Sequence, residues 1–144
     1  MCGIAGIIYR DGATHQIGNE MTRMLQSMKH RGPDSTGYAL YGAPENGGLV
    51  MRYKLADANT ARDFDYEDRL RRHRAIVESR LASLGARVSE VEEETPYAFR
   101  VAFDYDGDLK LLADFVEDIP EAEVLSLGRS LEIVKDLGDA ESVH

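Results

Sequence analysis

MCGIAGI at residues 1–7 is the stretch from which we infer the fold of this chain. Cys2 follows the initiator methionine and is the single cysteine of the sequence. Removal of Met1 would leave Cys2 with a thiol and a free α-amino group. That amine has an ordinary pKa of about 7.7–8.0, so it can accept the thiol proton near neutral pH. One residue then supplies nucleophile and base. The alternative is a buried strand that happens to begin with cysteine, and Cys2 alone does not decide between them.

A second segment, HRGPDS at residues 30–35, makes the first more informative. It follows a predicted helix and precedes a predicted strand. Taken alone it is a loop rich in turn residues, in which Arg31 could simply pair with a carboxylate. Its occurrence about 25 residues after MCGIAGI is a much more specific pattern than either segment by itself.

The two segments together resemble the class II glutamine amidotransferases, which use an N-terminal nucleophile (Ntn). The longer match, HRGPDSTGYA at residues 30–39, is most similar to the glutamate-synthase-like group. Members of that group often carry an inserted α+β module after the second strand, and the sequence from about Gly48 fits such an insertion. An asparagine-synthetase-type glutaminase domain is the second alternative, since it normally continues without the insertion.

The resemblance implies a glutaminase reaction. The Cys2 thiolate would attack the side-chain carboxamide of L-glutamine, ammonia would leave, and water would release glutamate from a γ-glutamyl thioester. The ammonia would pass to a synthase domain or subunit, which is the partner implied. No cofactor is implied.

The same resemblance assigns roles to the neighbouring residues. Arg31 and Gly32 would line the site and hold the nucleophile or the substrate. Asp34 and Ser35 would fix the turn that presents them. Gly3 would give the ligand close access to the backbone, because glycine has no Cβ.

The fold class that we expect is α+β. Residues 1–47 would form part of a four-layer αββα Ntn-hydrolase domain. The pattern predicts a strand over residues 1–9, a helix with apolar spacing from Met21 to Met28 that Asn19 caps, and a strand over residues 36–41.

Residues 48–144 would form the inserted module. Strands are predicted at 48–55, 87–92, 97–105, 124–127 and 131–135, and helices at 67–84 and 109–119. We expect Gly85 to end the first of these helices and Asp108 to begin the second. The order β-α-β-β-α-β indicates a ferredoxin-like, split-βαβ module.

The remaining glutaminase motifs of the family are absent from these 144 residues. They are a G-H-T-R stretch, an Asn-Gly pair that supplies the oxyanion hole, and an acidic residue for the substrate α-amino group. Asn46-Gly47 lies in the wrong place for that role. We therefore expect the chain to be incomplete and inactive alone. Two interpretations compete with this one. The chain could be a non-catalytic regulatory or binding subunit, or it could be part of an Ntn hydrolase that acts on another amide.

Charge and composition exclude several classes of function. The net charge of −9 disfavours nonspecific binding to nucleic acid. The arginines of residues 69–74 are flanked by Glu67, Asp68 and Glu78, which is typical of a solvated helix face. No apolar run is long enough for a membrane span and no signal peptide is recognised, so we expect a cytoplasmic protein. The four histidines have no metal-ligand spacing, so no metal site is predicted.

Overall fold

The computed structural model describes residues 3–10, 16–31, 34–42, 48–57, 59, 64–141 and 143, with Arg31 described by its backbone alone. Its helices are α1 (Ile17–Ser27), α2 (Tyr66–Ser83) and α3 (Leu109–Glu117), and a short 3-10 helix (Lys29–Arg31) follows α1. Its strands are β1 (Ser35–Tyr41), β2 (Leu49–Lys54), β3 (Arg87–Thr95), β4 (Ala98–Asp104), β5 (Glu123–Gly128) and β6 (Leu131–Leu137).

These elements form two antiparallel sheets, which confirms the predicted α+β class. The larger sheet has the strand order β3-β4-β2-β5, and β2 pairs with both β4 and β5. Along the chain its elements follow the predicted order β-α-β-β-α-β. The smaller sheet pairs β1 with β6. Every strand of the larger sheet therefore lies between β1 and β6 in sequence.

Contacts divide the chain into two compact units. We call Met1–Tyr38 with Lys135–His144 the motif unit, and Ala39–Val134 the sheet unit. The strands β1 and β6 each have residues in both.

The sheet unit has its core on one face of the larger sheet. Alternate residues of β2 and β4 point to this face, as the period of two along a strand requires. The direct cross-strand pairs Leu49–Phe103, Met51–Val101 and Tyr53–Phe99 are all buried. The helices cover them with four further buried side chains, Val77, Leu81, Leu112 and Val116.

The ends of α2 and α3 follow the predicted signals. Gly85 has φ +83°, and its N–H donates to Ala82 while that of Ala86 donates to Leu81, which is a Schellman C-cap. A side chain other than glycine would be strained at this φ. At α3, the Asp108 carboxylate accepts from the N–H groups of Lys110 and Leu111.

The motif unit differs from its predicted structure at one element. Residues 3–9 form no strand, although their apolar run favoured one. A strand needs a neighbour for its backbone groups, and in the described part of the chain β1 pairs with β6 instead. Ile4 and Ile8 are 93% and 90% exposed.

The helix α1 is confirmed, although it begins at Ile17 with Gln16 at its N-cap, before the predicted cap Asn19. None of the helices that the structure describes is long and apolar enough to cross a membrane.

Candidate functional site

The HRGPDS segment connects α1 to β1. His30 and Arg31 lie in the 3-10 helix, Asp34 precedes β1, and Ser35 is its first residue. The other predicted site residues, Cys2 and Gly32, lie outside the described residues, as does the side chain of Arg31. Gly3 is described, and Cys2 is covalently bonded to it.

A cavity of about 230 Å³ brings three of the predicted residues together within the motif unit. Its lining residues lie near the N-terminus, in and after α1, from Asp34 into β1, and after β6. They are Gly3, Leu25, Met28, Lys29, Asp34, Ser35, Thr36, Gly37, Asp139 and Ala140. A Cβ built on Gly3 would lie 3.5 Å from the Met28 sulfur, an ordinary contact distance. Packing among the described residues therefore does not require glycine at position 3.

Hydrogen bonds hold residues 138–140 against β1 and α1. Thr36 Oγ1 donates to the Gly138 carbonyl at 2.9 Å, and the Gly138 N–H donates to the Asp34 carbonyl at 3.3 Å. The buried hydroxyl of Tyr38 donates to the Ala140 carbonyl at 2.8 Å and lies 3.0 Å from Thr22 Oγ1. A segment about a hundred residues away in sequence thus becomes one wall of the cavity.

Asp139 is the functional candidate that the sequence did not reveal. Its Oδ2 accepts a hydrogen bond of 3.3 Å from Gln26 Nε2 of α1, and it lines the cavity. Gly138-Asp139 after an apolar strand is typical of a simple turn. Only the long-range pairing of β1 with β6 brings it to the HRGPDS segment.

The lining of this cavity includes three charged residues. Asp34, Asp139 and Lys29 each come from a different segment of the chain. Such a cavity can accept a small zwitterionic ligand, because it offers a cation to a carboxylate and carboxylates to an ammonium group.

A second polar cluster lies in the sheet unit, on the sheet face opposite the core. Arg52 and Arg100 are direct cross-strand partners, an arrangement that is unfavourable for two like charges. Glu132 of β6 bridges them: its carboxylate accepts from Arg52 Nε at 2.7 Å and from Arg100 Nε and Nη2 at 2.9 and 3.2 Å.

The bond from Arg100 holds the pKa of Glu132 below its ordinary value, against the opposing effect of burial. Arg52 also pairs with Glu94. A cavity of about 190 Å³ lies beside this cluster, and Arg52, Arg100 and Glu132 are among its lining residues. Because these hydrogen bonds of both guanidinium groups go to carboxylates of the chain, we interpret this cluster as structural.

Comparison with known proteins gives two relatives. The chain is 34% identical over 142 residues to a protein of Methanothermobacter thermautotrophicus provisionally named glutamine amidotransferase. It is 27% identical over 139 residues to the glutamine amidotransferase-like protein GlxB of Rhizobium meliloti.

Each alignment covers 96% of this chain but only 44% and 42% of the relatives, so the chain spans less than half of their length. No protein-family model matches the chain. Both relatives carry glutamine amidotransferase in their names.

Proposed function

We propose that this chain is the N-terminal part of a class II glutamine amidotransferase of the glutamate-synthase-like group. The observation that carries the proposal is the alignment of almost the whole chain to a relative named as a glutamine amidotransferase. The segments MCGIAGI and HRGPDS, which resemble those of the class II enzymes, add the type of nucleophile.

In the proposed reaction, the Cys2 thiol gives its proton to its own α-amine, and the thiolate attacks the carboxamide carbon of L-glutamine. The C–N bond then breaks. The α-ammonium returns a proton to the leaving nitrogen, which departs as ammonia. Water adds to the γ-glutamyl thioester and cleaves its C–S bond. Glutamate and free thiol result. The ammonia passes to a synthase domain or subunit.

The roles of the other residues remain those that the resemblance implies. Arg31 and Gly32 would line the site, while Gly3, Asp34 and Ser35 would support it. The cavity supports this proposal for Gly3, Asp34 and Ser35, which all line it.

The proposed architecture is an αββα Ntn-hydrolase domain, begun by residues 1–47, that a split-βαβ module at 48–144 interrupts. The four-stranded sheet supports a split-βαβ module within residues 48–144, because its strands and the two helices between them follow the order β-α-β-β-α-β. The oxyanion and substrate-binding motifs that the chain lacks would lie beyond residue 144. The isolated chain is therefore expected to show little or no turnover, because loss of even one oxyanion donor costs about 10²–10³ in rate.

The test is to trap the thioester. The full-length protein is incubated with L-glutamine and hydroxylamine, and γ-glutamyl hydroxamate and glutamate are measured. We expect both products, and a loss of about 10³-fold or more in the Cys2→Ala variant. The 144-residue chain is assayed in parallel and should give neither. Undiminished product from Cys2→Ala would refute the proposal, and turnover by the isolated chain would refute the claim that it is incomplete.

A further inference from the structure

A cavity of about 320 Å³ lies within the sheet unit, and we call it the α2–β3 cavity. Most of its lining is apolar: Leu81, Ala82, Ala86, Val88, Val91 and Val101. Two polar residues, Tyr53 of β2 and Glu78 of α2, complete the lining. Small-molecule sites are typically cavities of about 300–1,000 Å³ with apolar walls and a few polar groups, and the α2–β3 cavity has this composition.

The wall that β3 supplies depends on an irregularity in that strand. Val88 and Val91 are three residues apart, so in a regular strand they would point to opposite faces of the sheet. The pairing with β4 shifts register between Val88 and Glu90, and both valines line the cavity. They are still 45% and 40% exposed. Two neighbouring apolar side chains thus keep contact with solvent at the cavity, which favours a ligand with an apolar body.

The wall that α2 supplies follows from helical spacing. Glu78, Leu81 and Ala82 occupy positions i, i+3 and i+4, which lie on one face of a helix. Ala82 and Ala86 are small, and they leave space that larger side chains would fill. A larger residue at position 82 is therefore expected to close the cavity.

The polar groups of the lining are Tyr53 and Glu78. Tyr53 is 1% exposed, and burial raises the pKa of its hydroxyl, which therefore stays protonated. This hydroxyl makes no hydrogen bond within the part of the chain that the structure describes. Glu78 Oε1 accepts from Arg74 Nε at 3.3 Å, and a carboxylate has about four acceptor positions, so Glu78 can accept further bonds. The charge of Glu78 also acts on the Tyr53 hydroxyl, which shows that the two groups lie near each other.

The chemistry of the ligand follows from these two groups and the apolar walls. The described lining contains a carboxylate and no basic residue, so it favours a cation over an anion. A primary ammonium group carries a positive charge and three N–H donors, which suit both the Glu78 carboxylate and the Tyr53 hydroxyl oxygen. We propose that the α2–β3 cavity binds an aliphatic primary amine in its ammonium form, with its hydrocarbon chain against the valines. This site is independent of the proposed glutaminase function.

The test titrates n-pentylammonium into the full-length protein. Binding is measured by calorimetry and by NMR of labelled valine and leucine methyl groups. We expect saturable binding with a dissociation constant on the order of 1 mM, because the ligand is very small. The largest changes in chemical shift should occur at the methyl groups of Val88, Val91 and Val101.

Two further probes have the same hydrocarbon chain and a different charge. Pentanol is uncharged and should bind about threefold to fivefold more weakly than pentylammonium, since Glu78 is exposed and solvent screens its attraction. Pentanoate is negatively charged and should show no saturable binding.

Matched variants of α2 separate the charge from the shape of the site. Glu78→Gln should weaken pentylammonium binding about threefold to fivefold, whereas Glu67→Gln, at an exposed residue that does not line the cavity, should leave it unchanged. Ala82→Leu should abolish binding by filling the cavity. Ala75→Leu is its control at another exposed position of α2 outside the lining. Circular dichroism shows whether each variant folds, and Glu78→Gln keeps the test decisive if Ala82→Leu does not.

The proposal is overturned if pentylammonium does not bind saturably, if pentanol binds as tightly, or if Glu78→Gln binds pentylammonium as the unchanged protein does. Failure of the glutaminase function is a separate result, because these measurements require no turnover: the hydroxamate assay would be negative while pentylammonium still binds.

Discussion

The sheet unit and the motif unit are stabilised by different kinds of contact. The sheet unit packs Tyr53 and Phe99, whose rings stack at 5.3 Å, with aliphatic side chains of two helices. In the motif unit, Tyr38 and Ala140 are the buried hydrophobic residues among those described, and α1 contributes none. Hydrophobic burial is the dominant favourable term in folding. We infer that the sheet unit supplies most of the stability, whereas the motif unit depends on hydrogen bonds between distant segments.

The largest loss of stability is expected for a substitution in the core of the sheet unit. Leu112 of α3 is fully buried, and Leu112→Ala removes packed methyl groups and leaves a cavity. We expect a loss of about 3 kcal/mol in the free energy of unfolding, measured by urea denaturation. The adjacent Leu111 is 57% exposed and serves as the matched control, with a loss below about 1 kcal/mol for Leu111→Ala.

Met24→Ala in α1 extends the same test to the motif unit. Met24 is 36% exposed, so its truncation should cost less than about 1 kcal/mol. A loss similar to that of Leu112→Ala would mean that α1 has a core of its own, and the comparison of the two units would be wrong.

A smaller effect is expected on the polar face of the sheet unit. Glu132→Gln removes the carboxylate that bridges the cross-strand arginines Arg52 and Arg100, whose side chains are 10% and 19% exposed. We expect a loss of about 2 kcal/mol, because two nearly buried like charges then face each other. Glu67→Gln at an exposed position of α2 is the control and should cost less than about 0.5 kcal/mol. Equal losses in the free energy of unfolding for Glu132→Gln and Glu67→Gln would show that the bridge does not contribute to stability.

The same bridge predicts a pH dependence. The folded-state pKa of Glu132 is lowered, chiefly by the hydrogen bond from Arg100. Its contribution to stability is therefore fully present above the unfolded pKa of about 4.3, and it is lost as the pH falls through the lower folded value. Urea denaturation at a series of pH values below 5 should show a steeper loss for the unchanged chain than for Glu132→Gln. Parallel curves would contradict this.

The smallest effect is expected at the hydrogen bonds of the motif unit. Tyr38→Phe removes the buried hydroxyl that donates to the Ala140 carbonyl and should cost about 1 kcal/mol. Tyr41→Phe, at a residue that is 80% exposed, should be neutral. Hydrogen-exchange mass spectrometry should show faster exchange in the peptides of residues 34–38 and 138–141 of Tyr38→Phe. Unchanged exchange there would mean that this bond does not hold the segments together.

The elements of the sheet unit were predictable because their signals are local. Three signals each depend on a few neighbouring residues: the apolar spacing of α2 and α3, the glycine that ends α2, and the aspartate that caps α3. The positive φ of Gly85 and the hydrogen bonds of Asp108 agree with the last two. The strand predicted over residues 1–9 was wrong in its described part, residues 3–9, since the apolar run did not reveal whether a partner strand exists. The bridging role of Glu132 was also missed, because the single acid in the apolar strand LEIVK does not show what it faces.

The sequence names some of the residues that line the motif-unit cavity and gives no sign of others. Asp34 and Ser35 belong to a motif, whereas Asp139 reaches the cavity only through the pairing of β1 with β6. That pairing joins strands separated by about ninety residues, and no local pattern specifies it. The roles of all the predicted site residues stay predictions: Cys2, Gly3, Arg31, Gly32, Asp34 and Ser35.

The most direct test of the account is covalent labelling of the full-length protein by a diazo-ketone analogue of glutamine, followed by intact mass and peptide mapping. The account predicts loss of Met1 and one adduct on Cys2, with protection by L-glutamine and no adduct in Cys2→Ala. Retention of Met1, or an adduct that persists in Cys2→Ala, would contradict the assignment of Cys2 as an N-terminal nucleophile.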